Sequence, residues 1–329
     1  MPHPTEQAAI RISAPARLHL GFLDLNGELG RIYGSIGLAI DQPETRVLVR
    51  RAPANGASGP EAARAVRVLE RLASRLDLDA RYDVTVETAI PPHAGLGSGT
   101  QLALAVAIAV LKLERIARPL DLIGTLTDRG QRSSIGIAAF DDGGFIVDGG
   151  RGTAHHPPPV LIRARMPENW RILLVLDRSA KGVHGDRETA AFAALPPMPR
   201  ATAARLCHLL LMQAAPALAE ADIATFGRAV TEIQAVVGAH FAAAQGGSPW
   251  SSPKVGELVA ALAASGAVGI GQSSWGPTGF AFVPSEKDAQ ALYQSHHAAA
   301  KARGLDLQIV RARNTGALID TVTTADIGQ

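Results

Sequence analysis

Residues 101–113 read "QLALAVAIAVLKL", and this run constrains the chain more than any other. Its residues have no β-branched cluster long enough to force a strand, and at roughly three to four turns it reads as a helix apolar nearly all round. A helix without a polar face has to be covered on every side, so it belongs at the centre of a domain with other elements packed around it. Its apolar part, Leu102 to Leu111, is far short of the ~20 residues needed to span a bilayer.

The segment entering this helix is "PPHAGLGSGT", residues 91–100. Gly95, Gly97 and Gly99 alternate with Leu96 and Ser98, and Thr100 follows. Glycine lets a ligand approach bare backbone and tolerates positive φ. The first turn of a helix adds unpaired N–H donors and a partial positive charge. Together they make an anion site, most often for phosphate. Ser98 and Thr100 can cap the helix or offer hydroxyls to a phosphate or its metal ion. The plainer alternative is a glycine-rich turn into a buried helix. A Walker loop would end in Gly-Lys-Ser/Thr, whereas this one ends Gly-Thr-Gln. A dinucleotide fingerprint needs GxGxxG followed by an acid on a second strand, and the spacing here is GxGxG.

Around this centre, strands and helices interleave. "AAIRISAPARLHLGFLDL", "TRVLVRR", "YDVTVETAI", "GGFIVDGG", "WRILLVLD" and "LDLQIVRAR" read as strands. Residues 61–76 form an amphipathic helix, and a long helical stretch follows "PPMPR" (196–200). The class is α+β or α/β. The tandem prolines of "HHPPPV" (155–160) suit a crossover, which places a first domain over 1–158 and a second over 159–329. With 32 basic and 30 acidic residues and no basic run, nucleic acid and membrane surfaces are poor candidates for partners. The single cysteine, Cys207, excludes an internal disulfide and a thiolate metal cluster. The start of the chain lacks a basic stretch followed by an apolar core, so the expectation is a cytoplasmic protein.

The loop resembles the phosphate-loop motif of the GHMP kinase superfamily, P-x-x-x-G-L-G-S-S-A-A, matched at Pro92, Gly95, Leu96, Gly97 and Ser98 and departed from at Gly99 and Thr100. "APARLHLGFLDLNGELGRIYGSIGLAI", "RSSIGIAAFDDGGFIVDGG", "KGVHGDRETAAF" and "GQSSWGPTGFAF" resemble further motifs of the β-ribofuranosylaminobenzene 5′-phosphate synthases, a non-kinase branch of that superfamily. The branch's Gly-Arg-Ile-Asp-Gly-Gly pattern reads Gly30-Arg31-Ile32-Tyr33-Gly34-Ser35 here, so an acid is missing at Tyr33. The resemblance implies a two-domain α+β fold of the GHMP-kinase type. Its ribosomal-S5-like first domain would carry the phosphate loop, and its second domain would be ferredoxin-like. It also implies an enzyme, a homodimer, that joins phosphoribosyl pyrophosphate to 4-aminobenzoate. The reaction releases CO2 and pyrophosphate, early in the making of methanopterin-type one-carbon cofactors. A 4-hydroxybenzoate substrate is a variant of the same chemistry.

That chemistry needs phosphates held, a cation-like sugar steadied and an aromatic acid fixed. The phosphates fall to residues 95–100, with Mg²⁺ on Ser98; no organic cofactor is required. Magnesium takes phosphate oxygens and water, so it needs no dense ligand cluster. Arg17, Arg31 and Lys181 are the first basic candidates, with Arg132 and Arg187 behind them. A developing cation wants a carboxylate. Asp24 in "GFLDLNG" is the first choice and Asp148 in "FIVDGG" the second, although either suits a turn before glycine. His19 and His184 are placed to bond phosphate or carboxylate. Ser273, Ser274, Trp275 and Thr278 form a second small-residue loop whose tryptophan can stack on a ring. Two other functions remain open at this level: an ATP-dependent small-molecule kinase using the same loop, and a phosphometabolite-binding regulator.

Overall fold

The structure, a computed structural model, describes residues 8–153, 157–180, 182 and 185–323, with the side chains of Asp186 and Arg187 outside that description. The chain opens with a long hairpin of β1 (Ala9–Asp24) and β2 (Tyr33–Ala52). Next come β3 (Gly56–Ser58), α1 (Ala62–Leu76), β4 (Arg81–Thr88), α2 (Ser98–Leu113), α3 (Leu120–Leu126), α4 (Ile135–Asp141), β5 (Phe145–Asp148) and β6 (Val160–Ala164). The second half runs β7 (Arg171–Asp177), α5 (Asp186–Ala194), α6 (Arg200–Leu209), a π turn (Leu210–Ala214), α7 (Ala215–Ala219) and α8 (Ile223–Phe241). It closes with α9 (Pro253–Ala264), β8 (Val268–Gln272), β9 (Gly279–Val283), α10 (Glu286–Ala302), β10 (Leu305–Val310) and β11 (Leu318–Val322).

One sheet has seven strands, ordered β11-β1-β2-β4-β3, with β5 on β2 and β6 on β5; the other has four, ordered β10-β7-β9-β8. Every pairing is antiparallel except β3 with β4. The α+β expectation therefore holds, since parallel crossovers do not build either sheet. The first sheet takes in β6 and β11, both beyond the expected boundary at 158. "TRVLVRR" is the second half of β2 rather than a separate strand, and "LDLQIVRAR" is followed by one more strand, β11.

Helix α2 is covered as its sequence requires. Every residue from Gln101 to Leu111 is buried, within a core shared with α1, β1, β2 and β4. Gln101, the buried polar exception, donates to the Gly136 carbonyl at 2.8 Å. On the other side of the hairpin, Leu18, Leu20 and Leu38 share a second core with Ile172 and Leu174 of β7, Phe280 and Phe282 of β9, and α8. That continuous core locks the two sheets together. The long helical stretch expected after residue 200 is interrupted by the π turn and again at Asp222, whose carboxylate accepts from Thr225 N at 3.0 Å and starts α8.

Candidate phosphate site

The loop enters α2 through two glycines in the left-handed region, Gly95 (φ 75°) and Gly97 (φ 84°). Both are required. A Cβ on Gly95 would sit 2.3 Å from the Ser273 carbonyl oxygen, and one on Gly97 would sit 3.2 Å from Cγ of Arg17. No side chain caps the helix; the Thr100 amide turns back to the Gly97 carbonyl at 3.0 Å, which leaves the amides of Ser98 and Gly99 at the helix start to meet a ligand.

Strand β1 supplies the neighbouring groups. Arg17 N donates to the Leu96 carbonyl at 3.1 Å, and its guanidinium Nη1 donates to the Gly95 carbonyl. Burial pulls the guanidinium down to about 10, while the charge of Glu188 pushes the other way, so it is cationic at neutral pH. His19, two residues on, lies on the same face of the strand. Its main-chain N–H donates to Ser273 Oγ at 3.0 Å, and that hydroxyl donates on to the Gly95 carbonyl at 2.7 Å. Ser274 N donates to the His19 carbonyl at 3.1 Å. The loop, β1 and the 273–276 turn are thus one hydrogen-bonded unit. The His19 ring is 4% exposed and its Nε2 has no partner. Burial, and then the charge of Arg17, push the imidazole down to about 3, so it is neutral.

His19 borders a cavity of about 470 Å³ that is walled by Phe22, Phe241, Trp250 and Trp275. Among the described residues, no Asp, Glu, Lys or Arg lines it. The rings of Phe22, Tyr33, Phe192, Phe241 and Trp275 pack edge-on or tilted at 4.5–6.0 Å. Of the expected pocket residues, Ser274 and Trp275 line this space, and Ser273, Thr278 and Asp148 do not. Ser273 is spent on the loop, and Thr278 is fully buried. Asp148 is fully buried and spent on four donors: Ser35 N and Gly150 N to Oδ1, each at 3.0 Å, with Ser133 Oγ (3.0 Å) and Ser134 N (2.9 Å) to Oδ2. Burial pushes its carboxyl above the usual range, and these donors pull it back. Its work is to hold the 133–134 turn beside the start of α2, where a Cβ on Gly136 would meet the side chain of Thr100 at 3.0 Å.

Asp24 stands at the C-terminal end of β1, beyond the mid-strand residues Arg17 and His19 that meet the loop. Its Oδ1 accepts from Asn26 N (2.7 Å) and Gly27 N (3.0 Å), which shapes the hairpin turn. Arg31 lies at the same end and donates to the carbonyls of Gly149 (2.7 Å) and Gly150 (2.6 Å). Lys181 and His184 fall outside the described residues, as does the side chain of Arg187. Arg132 is 4.8 Å over the Phe192 ring and pairs with Glu188 at 3.1 Å.

Two groups escaped the sequence reading. Glu188, on α5, is the carboxylate whose charge reaches Arg17. Arg129 brings its guanidinium to 3.4 Å from where a Cβ of Gly99 would be. Neither carries a local motif; each is placed by tertiary packing. Among the described residues no three His, Cys, Asp or Glu side chains gather to hold a metal. That donor set suits a magnesium ion carried on a diphosphate, which needs only a neutral oxygen such as the half-buried Ser98 hydroxyl besides phosphate and water. No helix among the described residues is long and apolar enough to cross a membrane.

Comparison with known proteins agrees with this architecture. Residues 62–149 match the pattern described as the GHMP kinases N terminal domain, and residues 214–302 match GHMP kinases C terminal. The beta-ribofuranosylphenol 5'-phosphate synthase of Methanothermobacter thermautotrophicus is 33% identical over 298 residues, 84% of this chain and 89% of that protein. The protein of the same name from Archaeoglobus fulgidus is 31% identical over 328 residues, 94% of this chain and 99% of the relative. Among solved structures, a homoserine kinase from Cytophaga hutchinsonii superimposes with a TM-score of 0.65 at 18% identity, covering 97% of this chain and 99% of that one. A Lactococcus lactis galactokinase complexed with galactose gives 0.66 at 13% identity, covering 94% and 95%. At those identities the likeness is one of fold.

Proposed function

Since the chain belongs to the beta-ribofuranosylphenol 5'-phosphate synthase family, a branch of the GHMP kinase superfamily, we propose that it transfers the ribosyl phosphate of phosphoribosyl pyrophosphate to an aromatic acid. In the proposed step the C1–O bond to the diphosphate breaks and its electron pair leaves with pyrophosphate. The ring carbon that bears the carboxylate supplies the pair for the new C–C bond. The bond to the carboxylate then breaks, its pair restores the aromatic ring, and CO2 departs. No proton has to be removed from the ring. The product belongs to the making of a methanopterin-type cofactor.

The observation that supports this reading most is the placing of an anion-binding loop and an aromatic-walled cavity at neighbouring positions along one face of β1. In the proposal, the amides of Gly97 to Gly99 and the Arg17 guanidinium hold the diphosphate. Ser98 would hold Mg²⁺, which would offset the charge of the leaving diphosphate. Glu188, in the field of Arg17, steadies the sugar as it becomes cation-like. Asp24 and Arg31 act from the hairpin end, on the hydroxyls and the other phosphate of the sugar. The ring lies among Phe22, Phe241 and Trp275, with His19 as its polar neighbour.

The motif resemblance implies 4-aminobenzoate as acceptor, with 4-hydroxybenzoate as a variant. The relatives' name contains ribofuranosylphenol, which corresponds to 4-hydroxybenzoate. The test uses both acids, carboxyl-labelled, with phosphoribosyl pyrophosphate and Mg²⁺. Labelled CO2 released one for one with pyrophosphate is the expected result, and the acid that gives it is the acceptor. ADP formed from ATP and a small alcohol, with no CO2 from either acid, would replace this reading with that of a kinase.

A further inference from the structure

Arg129 lies beside Gly99, and Arg17 packs against Gly97 two residues earlier in the same loop. Its Nε is buried and has no hydrogen-bond partner. Its guanidinium makes no ion pair among the described residues. The surroundings supply more positive charge than negative. Arg64 is paired with Glu61 at 2.9 Å, and Asp128 is shared between Arg71 (3.0 Å) and Arg75 (2.9 Å). Burial, followed by the charges of Arg64 and Arg71, pulls the Arg129 guanidinium down, and Asp128 only partly opposes them. A half-buried cation with a buried, unpartnered Nε and no ion pair among the described residues is expected to meet its counter-charge in a ligand.

We propose that Arg129 is a phosphate-binding side chain of this loop, acting with Arg17 so that the two guanidiniums take the two phosphates of a diphosphate ester. The class of ligand is then a diphosphate in preference to a single phosphate. This rests on reading the loop as the diphosphate site. A planar guanidinium donates in pairs to phosphate oxygens, which a lone amide cannot do. The bridging geometry is what makes one phosphate a poorer ligand than two.

The test is calorimetric titration with inorganic pyrophosphate and with inorganic phosphate, Mg²⁺ present, on wild type, Arg129→Met and Arg129→Gln. Thermal midpoints are measured without ligand. Wild type is expected to prefer pyrophosphate. Arg129→Met should weaken pyrophosphate binding roughly ten- to hundredfold and phosphate binding much less. Its ligand-free midpoint should equal or exceed that of wild type, because an unpaired buried charge has gone. A purely structural arginine would instead lower the midpoint and leave the preference unchanged. Should the Met variant fail to fold, the Gln variant carries the same expectation. A folded variant that keeps the wild-type preference for pyrophosphate overturns the proposal and leaves the loop reading standing. Wild type that binds no pyrophosphate at all overturns both.

Discussion

At the scale of the residue, the account turns on positions where one atom decides the outcome. Gly97 has φ 84° and the Arg17 side chain 3.2 Å from its missing Cβ. Gly97→Val should therefore weaken pyrophosphate binding by more than roughly tenfold, because a branched side chain blocks the backbone and strains it; calorimetry reads this directly. Charge removal separates the two carboxylates. Glu188→Gln should lower kcat roughly ten- to a thousandfold with little change in KM, the pattern of a group that acts in the transition state. Asp24→Asn keeps the oxygen that accepts from Asn26 and Gly27, so any loss of turnover reports the charge and not the turn. Full turnover by both variants in the CO2 assay would remove carboxylate stabilisation from the mechanism. His19 offers a test in pH. Its folded value of about 3 is below the usual 6.5, so the unfolded chain takes up the proton first. The stability gained by keeping it neutral is complete above pH 6.5 and is lost as pH falls toward 3. Between pH 7 and 4.5 that loss is roughly 2–3 kcal/mol. Thermal midpoints of His19→Gln should fall less over that interval than those of wild type; parallel curves would contradict the assignment.

At the scale of the element, the site is a helix start braced by two turns. Asp148 holds the 133–134 turn, and Ser273 joins the 273–276 turn to the loop. Asp148→Ala strands three main-chain donors in a buried place and should cost roughly 3–5 kcal/mol, read by denaturant unfolding. The loop and α2 were legible in the sequence because their signal is local: alternating glycines, then an apolar run. Ser274 and Trp275 were legible for the same reason. Asp148 reads from the sequence as a second carboxylate for the sugar because its position before two glycines resembles a strand-end acid. Its saturation by four donors exists only once β2 and the 133–134 turn meet. Arg129 and Glu188 were not legible. Residues 99 and 129, or 17 and 188, become neighbours by packing that leaves no periodicity behind. The break in the helical stretch after residue 200 was half-legible. Asp222 with Thr225 carries an N-cap pattern, whereas a π turn adds one residue to the ladder and leaves the apolar spacing helical.

At the scale of the whole molecule, one core joins the two sheets, and β11 returns from the far end of the chain to the edge of the first sheet against β1. Interleaved strands and helices left α+β and α/β both open, and the motif resemblance selected α+β. The return of β11 was not legible, since its five residues are mostly exposed and show no alternation. A shared core predicts a single unfolding transition, with fluorescence of Trp170 and Trp275 and far-ultraviolet dichroism coinciding. Two separated transitions would mean that the halves are independent. The central claim is that main-chain amides at the start of α2 grip the diphosphate of the sugar substrate. It is tested most directly by a crystal structure of the protein with phosphoribosyl pyrophosphate and Mg²⁺. The account predicts the diphosphate against the amides of residues 97–99, between Arg17 and Arg129. A diphosphate bound elsewhere, with those amides closed off by side chains, would contradict it.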